Sequence, residues 1–218
     1  MSDPKKEVYY CAIDIEKSRA ELGTGVIAVA FVFTDENGVV LEKACFSKSF
    51  NDSDFDESTG RFWSNHQDVL VRISENAKTS PLVWRDVIEF VHSLETKYGP
   101  FGRKFANERE FRWICDNPAY DIGQINLMMH LEDKKNPPLA EMFTEYVPTS
   151  DPTEQYRTLL DDEKEFVDSQ LKTPHSHYPT EDALRDIEMY VAIQKVLEAR
   201  KLKKRSRRSV SPGLLTQE

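Results

Sequence analysis

Two carboxylates near the end of one predicted strand could hold a metal ion. Asp14 and Glu16 are two residues apart at the end of a β-branched and aromatic run, residues 8–15 (VYYCAIDI). Side chains at this spacing leave the same face of a strand, and their charges repel each other unless a cation lies between them. Hard divalent ions such as Mg²⁺ prefer oxygen ligands of this kind. With 38 acidic residues in the chain, such a pair also arises by chance, and a solvated strand edge is the alternative.

A third carboxylate, Asp121, follows the end of another predicted strand. The run FRWIC at 111–115 is typical of a strand, and the turn residues DNP at 116–118 come directly after it. Asp121 therefore lies at the beginning of the apolar helix predicted over about residues 121–131. Carboxylates at the ends of separate elements are how an α/β sheet assembles one metal site from distant parts of a sequence.

A histidine and a fourth carboxylate occur near the C-terminal end. His177 precedes Asp182 by five residues, and Asp182 lies in the first turn of the last strong helix, predicted from about Thr180. This step lets an imidazole on a loop face a carboxylate on the helix behind it, and such an imidazole can act as a general base. His175 is the alternative base, and the five-residue step alone favours His177.

The elements that must position these residues follow from the hydrophobic patterns. Strand-like runs over residues 8–15, 26–34 and 39–46, with the turn DENG at 35–38, predict three antiparallel strands. A fifth strand is placed in residues 103–115 or 145–147. Helical spacing predicts helices around residues 63–73, over 81–98, over 153–171 and from 180 onward.

Composition limits the class of protein. The chain has 218 residues, 25.2 kDa, 39% hydrophobic and 31% charged residues, which suits one folded domain, placed at residues 1–200. No apolar run approaches a membrane-spanning length, and no apolar stretch follows the first lysines, so we expect no membrane insertion and no secretion. Three cysteines without C-x-x-C spacing predict a reduced intracellular protein, cytoplasmic or nuclear, without a disulfide framework.

The net charge of −9 conceals a division along the chain. Residues 200–208 contain seven of the 29 basic residues, so residues 1–199 carry a balance of −15. An acidic body disfavours non-specific duplex binding, but it does not exclude a nucleic-acid enzyme whose carboxylates are screened by divalent cations. Residues 201–218 show no periodicity and predict a disordered basic tail. That tail is a solvated end, a nuclear-import signal or an electrostatic contact for nucleic acid.

Taken in order, these residues resemble a known set of motifs. They are similar to the motifs of the DEDDh (DnaQ-like) 3′-to-5′ exonuclease family. The three motifs are D-x-E at Asp14 and Glu16, N-x-x-x-D at Asn117 and Asp121, and H-x-x-x-x-D from His177. This family belongs to the ribonuclease H-like superfamily. Each motif is weak alone, and the specificity comes from their conjunction in family order over residues 8–199. One departure is that Lys17 and Ser18 follow the D-x-E glutamate, where the family often has a small hydroxyl residue.

The resemblance implies a fold and an activity. The expected fold is α/β, a mixed five-stranded sheet that begins with three antiparallel strands and carries helices on both faces. The expected activity is hydrolysis of phosphodiester bonds at the 3′ ends of single-stranded DNA or RNA, with release of 5′-mononucleotides. A catalytically silent module of the same fold, binding nucleic acid or a polymerase, is the alternative, and an RNase H-like endonuclease is another. The choice of DNA or RNA and the oligomeric state stay open.

The resemblance also implies roles for individual residues. Asp14, Glu16 and Asp182 would hold one of two Mg²⁺ (or Mn²⁺) ions, and Asp14 would bridge to the second, whose water shell Asp121 supports. His177 would take the proton from the attacking water. The substrate would lie beside three further positions, Ile15, Lys17 and Asn117.

Overall fold

An antiparallel meander forms the N-terminal half of the sheet, as the sequence predicts. The computed structural model describes residues 6–21, 24–99, 108–132 and 149–209. Within them, β1 (Glu7–Lys17), β2 (Val26–Asp35) and β3 (Val40–Ser47) pair in sequence order. The β2–β3 turn has Gly38 at φ 80°, a left-handed conformation that glycine adopts without steric cost. Asp35 Oδ1 accepts hydrogen bonds from the backbone N–H groups of the turn and thereby closes it.

Two parallel strands complete a five-stranded sheet of order β3-β2-β1-β4-β5. β4 (Arg109–Ile114) runs parallel to β1, and β5 (Thr149–Ser150) runs parallel to β4. The fifth strand was predicted in residues 103–115 or 145–147, whereas β5 lies at Thr149–Ser150; of the first segment the structure describes residues 108–115, which contain β4. Residues 145–147 lie outside the described residues. A strand of two residues such as β5 is too short to show a period-two pattern, so its position depends on pairing with β4.

Helices pack on both faces of this sheet. The described helices are a 3₁₀ turn at Asp52–Asp54, α1 (Glu57–Ser64), α2 (Gln67–Ser74), α3 (Ser80–Tyr98), α4 (Pro118–Glu132), α5 (Pro152–Arg157), α6 (Asp161–Gln170) and α7 (Pro179–Ser209). On one face, the apolar stripe of α3 joins the core cluster of Cys11, Ile13 and Ile15. On the opposite face, α7 contributes Ala183, Ile187 and Tyr190 to a second cluster with Tyr10 and Ala12. The central strand β1 is thus covered on both sides. None of the helices in the described ranges is long and apolar enough to cross a membrane.

Two predicted helices are each a pair of shorter ones. The helix expected around residues 63–73 is α1 followed by α2, and the helix expected over 153–171 is α5 followed by α6. The second break has a local cause, because Glu163 accepts a hydrogen bond from the backbone N–H of Leu160 at 2.8 Å. That contact, together with three acidic residues in the first turn, starts a new helix at Asp161.

Helix α7 is longer than predicted. Disorder was expected beyond Lys201, yet the helix continues to Ser209. Lysine, arginine and leucine are strong helix formers, and neither glycine nor proline occurs between Pro179 and Pro212, so nothing interrupts propagation. Positive side chains in the last turns also favour the negative end of the helix dipole. The prediction is therefore wrong for residues 201–209, and residues 210–218 lie outside the described part.

Candidate active site

Asp14 and Glu16 occupy the carboxyl end of the central strand. Along β1 the side chains alternate, with Cys11, Ile13 and Ile15 in the core beneath α3. Tyr10 and Ala12 lie on the other face, against α7, and Asp14 and Glu16 continue that face. The period-two pattern therefore aims both carboxylates towards the side of the sheet that α7 covers.

Asp182 meets these two carboxylates from the beginning of α7. It lies in the first helical turn, where its own N–H donates to the carbonyl of Tyr178 at 3.1 Å. Its Oδ1 accepts the backbone N–H of Ser176 at 3.0 Å, and the residue is 8% exposed. A carboxylate is favourable at this end of a helix because the dipole there is positive. Asp14, Glu16 and Asp182 each offer a carboxylate oxygen, and all three oxygens lie within 4.8 Å of one another. These three residues are called the carboxylate cluster below.

Asp121 lies beside this group without joining it as closely. Helix α4 begins at Pro118, three residues earlier than predicted, and the carbonyl of Asn117 accepts the N–H groups of Tyr120 and Asp121, both at 2.9 Å. Asp121 is buried, and its carboxylate is outside the set of oxygens within 4.8 Å. Its charge nevertheless raises the pKa of both Asp14 and Glu16. The structure thus brings three of the predicted carboxylates together and the fourth to their edge.

Nearby positive side chains do not neutralise the negative charge of these carboxylates in the part of the chain that the structure describes. Burial, and then the charge of Glu16, raises the pKa of Asp14 well above its usual range. Burial followed by the charges of Asp182 and Asp121 raises the pKa of Glu16 to about 9. Burial and the neighbouring Asp116 raise the pKa of Asp121 to about 8. Among the described residues, no lysine or arginine forms an ion pair with Asp14, Glu16 or Asp121.

A divalent cation fits this arrangement. Asp14 Oδ2 and Asp121 Oδ2 are buried, and neither has a hydrogen-bond partner among the described residues. A buried charged oxygen without a partner is costly, and a cation would satisfy it while it also cancels the repulsion. Because all the converging ligands are carboxylates, the donor set suits Mg²⁺ or Mn²⁺.

Sequence reasoning missed one further carboxylate, Asp186. It follows Asp182 by four residues, one turn along α7, and burial followed by the charge of Asp116 raises its pKa to about 8. The charges of Asp121 and Asp182 contribute in the same direction. The signal was available in the sequence, because side chains four apart share one face of a helix.

Both candidate histidines lie beside Asp182, on the loop of residues 171–178 that precedes α7, here called the histidine loop. His175 Nδ1 is 3.3 Å from Asp182 Oδ1, so the shortest imidazole contact to this carboxylate belongs to the histidine that the sequence ranked second. The ring of His177 packs edge-on against that of His175, with the ring centroids 4.4 Å apart. Burial, and then the neighbouring His175 and His66, lowers the pKa of His177. A lowered pKa keeps the imidazole neutral, the form that can accept a proton.

His177 has an unusual backbone conformation. Its φ is 59°, the only positive φ among the described residues other than glycine. The left-handed region is disfavoured for most residues with a Cβ, although histidine, asparagine and aspartate enter it more readily than others. Contacts from α7 hold the loop in this shape, since Ser176 donates its N–H to Asp182 and its Oγ–H to Glu181 Oε2.

The three predicted substrate positions have different surroundings. The side chain of Ile15 is buried in the core cluster, so only its backbone could approach a ligand. Lys17 Nζ donates to the hydroxyl of Tyr120 at 3.1 Å and lies 5.0 Å from the centre of its ring. This contact ties the end of β1 to the beginning of α4. Asn117 is at the turn before α4, where its carbonyl accepts the first helical N–H groups.

Solved structures match this chain by fold, whereas no protein-family model and no curated protein matches its sequence. Exonuclease I superposes with a TM-score of 0.58 at 12% identity, covering 86% of this chain, which spans only 41% of that one. A 3′-exonuclease with 3′-end-specific recognition of histone mRNA stem-loop gives 0.52 at 14% identity, with coverages of 89% and 84%. S. pombe Pop2p, solved with Mg²⁺ and Mn²⁺, gives 0.52 at 13% identity, with coverages of 85% and 82%.

The fold is ribonuclease H-like. The mixed sheet of order β3-β2-β1-β4-β5, with its antiparallel and parallel pairs, is shared with these exonucleases and confirms the predicted fold class. E. coli exonuclease I in complex with a dA16 oligonucleotide also matches, with a TM-score of 0.56. At 12–14% identity, the likeness is one of fold. Within the ribonuclease H-like sheet of this chain, the carboxylate cluster lies at the end of its central strand.

Proposed function

We propose that this chain is a metal-dependent 3′-to-5′ exonuclease acting on single-stranded DNA or RNA. It hydrolyses the phosphodiester bond next to a 3′ end and releases 5′-mononucleotides. The observation that carries the proposal is the convergence of Asp14, Glu16 and Asp182 within 4.8 Å, from elements far apart in sequence. The exonucleases that share the fold, among them one in complex with a single-stranded oligonucleotide, support the same conclusion.

Four carboxylates would hold the metal ions. Asp14, Glu16 and Asp182 are the ligands for one Mg²⁺ or Mn²⁺, and Asp14 with Asp121 serves a second. The buried, unpartnered oxygens of Asp14 and Asp121 support this assignment. Bound divalent ions supply Lewis-acid stabilisation of the phosphate and a lower pKa for the attacking water. In this proposal Asp186 is a positioning residue, because it lies one turn from Asp182 on the same face of α7.

His177 would accept the proton of the attacking water. The ring of His177 packs against that of His175, next to the carboxylates. An imidazole with a lowered pKa therefore lies at the edge of the carboxylate cluster. A neutral base near the operating pH is the efficient choice for proton abstraction. The hydrogen bonds from Ser176 to Asp182 and Glu181 hold the loop and reduce the freedom of the imidazole.

The substrate would be one unpaired strand end. The acidic body repels phosphates in general, so binding is confined to a strand whose terminal phosphate meets the bound cations. Lys17 and the backbone at Ile15 and Asn117 lie around the end of β1 and the beginning of α4, where they can contact the terminal nucleotide. Lys17 is held there by the hydroxyl of Tyr120.

Digestion of end-labelled oligonucleotides tests the proposal. Matched 5′-labelled and 3′-labelled single strands of DNA and RNA are incubated with Mg²⁺, with Mn²⁺ and with EDTA, beside the isosteric variant Asp14→Asn. We expect metal-dependent shortening of the 5′-labelled strand from its 3′ end, early release of labelled mononucleotide from the 3′-labelled strand, and loss of both in the variant. Cleavage of circular strands would indicate an endonuclease instead. Binding without hydrolysis in either metal would indicate the silent module and overturn the proposal.

A further inference from the structure

Three of the five histidines of this chain converge beside the carboxylate cluster. The ring of His177 lies 4.4 Å from that of His175 and 4.6 Å from that of His66, measured between centroids. His66 comes from the α1–α2 junction, more than 100 residues earlier in the chain. The proposed exonuclease uses one imidazole, so two of the three are left without a role.

The spacing of the ligand atoms suits a small, tetrahedrally coordinated ion. A ring nitrogen of His175, a ring nitrogen of His177 and an oxygen of Asp182 all lie within 4.8 Å of one another. Two ligands that are each about 2.0–2.1 Å from a tetrahedral zinc ion are about 3.3–3.4 Å apart. The distance of 3.3 Å between His175 Nδ1 and Asp182 Oδ1 already has this value.

We propose that His175, His177 and Asp182 form a binding site for Zn²⁺ at the rim of the carboxylate cluster. Imidazole ligands suit zinc, whereas the all-oxygen set of Asp14, Glu16 and Asp182 suits Mg²⁺. The two sites share Asp182, so a zinc ion at the histidines competes for a carboxylate that the Mg²⁺ site also needs. His175 is 59% exposed, so the ion can reach the site from solvent.

The surrounding hydrogen bonds hold the site in shape. Asp182 Oδ1 accepts the N–H of Ser176, and Glu188 accepts the N–H groups of Lys172 and Thr173, at 2.8 and 2.9 Å, so that both ends of the histidine loop are tied to α7. Support of this kind orients ligands and raises metal affinity. His66 Nδ1 is 2.9 Å from the carbonyl of Phe62 and donates to it, which leaves Nε2 as its free nitrogen. A water or this nitrogen can complete the tetrahedron.

Zinc at this site would switch the nuclease off. The ion occupies Asp182, which the proposed Mg²⁺ site needs, and His177, which the proposed proton transfer needs. By the affinity order of divalent metals, zinc binds a nitrogen-containing site far more tightly than Mg²⁺. Inhibition therefore persists at a large excess of Mg²⁺. This consequence rests on the proposed function, whereas the binding of zinc does not.

Direct binding measurements test the site without using activity. The full chain, free of nucleic acid and in excess Mg²⁺, is titrated with Zn²⁺ against a chromophoric chelator. The same samples are titrated with Co²⁺, whose visible absorption reports tetrahedral coordination. We expect one tight site per chain, weakened at least about 10-fold in His175→Gln. His92→Gln, which removes an exposed histidine of α3, is the matched control and leaves the affinity unchanged.

The outcomes separate this inference from the proposed function. Equal zinc affinity in wild type and His175→Gln, or the absence of a tight site, overturns the zinc site even if the protein is an active nuclease. A zinc site together with inactivity in every metal leaves the site standing and removes the proposed function. In an active enzyme, the Mg²⁺-dependent hydrolysis that remains in His175→Gln is no longer sensitive to zinc. Thermal unfolding of each variant confirms that the fold is intact.

Discussion

At the scale of single residues, the proposed chemistry depends on an imidazole that the backbone holds in a costly conformation. His177 combines a φ of 59° with a ring packed between those of His66 and His175. Local strain of this kind persists only where surrounding contacts determine it, and such positions cluster at functional sites. The neighbouring ring of Phe62, 4.9 Å away, further limits the motion of the imidazole.

Replacing His177 by asparagine should remove the base and keep the loop. Asparagine enters the left-handed region as readily as histidine but cannot accept a proton at neutral pH. We expect the rate of hydrolysis to fall roughly 10²–10⁴-fold, with little change in oligonucleotide affinity. Single-turnover kinetics and equilibrium binding measure the two effects. An unchanged rate would exclude His177 from proton transfer, and a loss of rate in His175→Gln instead would assign the base to His175.

At the scale of elements, the site exists because the end of β1 and the beginnings of α4 and α7 meet. Each element brings a carboxylate, and burial makes their repulsion strong. The arrangement therefore lowers the free energy of unfolding until a cation binds. Removing these charges from water costs free energy, and no lysine or arginine among the described residues pairs with Asp14, Glu16 or Asp121 to offset it. Metal binding and stability should thus be linked through pH.

We expect the stability of the metal-free protein to fall as pH rises. The pKa is raised to about 9 for Glu16 and to about 8 for Asp121 and Asp186, whereas unfolded carboxyls titrate near about 4. Between about pH 4 and pH 9 the folded state therefore binds more protons than the unfolded state, so its free energy of unfolding decreases with pH. Thermal unfolding in EDTA between about pH 6 and pH 8.5 measures this slope.

Added Mg²⁺ should raise the melting temperature more at the alkaline end of that range, where the carboxylates are ionised and can bind it. Glu16→Gln is the control, because one fewer titrating group flattens the slope in EDTA and reduces the effect of Mg²⁺. A melting temperature in EDTA that is independent of pH would contradict the assignment of raised pKa values to this cluster.

Helix α1 also supports the end of β1 through one buried tryptophan. Trp63 packs with Ile27 and Ile73, and its Nε1–H donates to the carbonyl of Lys17 at 2.8 Å. Trp63→Phe keeps an aromatic ring but leaves that carbonyl without its donor. We expect a loss of about 1–3 kcal/mol in the free energy of unfolding, measured by urea denaturation. The exposed neighbour variant Ser64→Ala should change stability by less than about 0.5 kcal/mol. Equal effects of the two would contradict this role for the indole.

At the scale of the whole molecule, charge is divided between an acidic body and the basic end of α7. Arg200 is paired with Glu163, and beyond it Lys201, Lys203, Lys204 and Arg205 are exposed on the helix. A helical end presents these charges at a regular spacing, which suits contact with successive phosphates. This favours the electrostatic-contact interpretation of the basic segment over a solvated end.

Neutralising this helical end should flatten the salt dependence of oligonucleotide binding. The combined replacement Lys201→Gln, Lys203→Gln, Lys204→Gln and Arg205→Gln removes the charge and preserves helix propensity. Each lost phosphate contact lowers the slope of log K against log salt concentration by about 0.7 for a single strand. Fluorescence anisotropy over a range of salt concentrations measures the slope, with Arg85→Gln on α3 as the control. An unaltered slope would leave the solvated end or the nuclear-import signal as the explanation.

Local pattern was sufficient for a large part of this protein. The period of two placed Asp14 and Glu16 on the face of β1 opposite Ile13 and Ile15, and the hairpin turn at Gly38 defined the three antiparallel strands. The order of the three motifs indicated a ribonuclease H-like fold. These features depend on alternation, turn chemistry and sequence order, all of which are properties of short segments.

Long-range packing decided the rest. No spacing in the sequence relates His66 to His177, or Asp186 to Asp121. Only the docking of α2, α4 and α7 against the sheet brings each pair together. The pairing of the two-residue strand β5 with β4 also depends on long-range packing. So does the position of Asp121 outside the carboxylate cluster. The sequence alone therefore identified four candidate carboxylates and two candidate histidines, but neither Asp186 nor His66. Tertiary structure decided which of them meet, because distances between elements depend on how whole faces pack rather than on the residues within any one element.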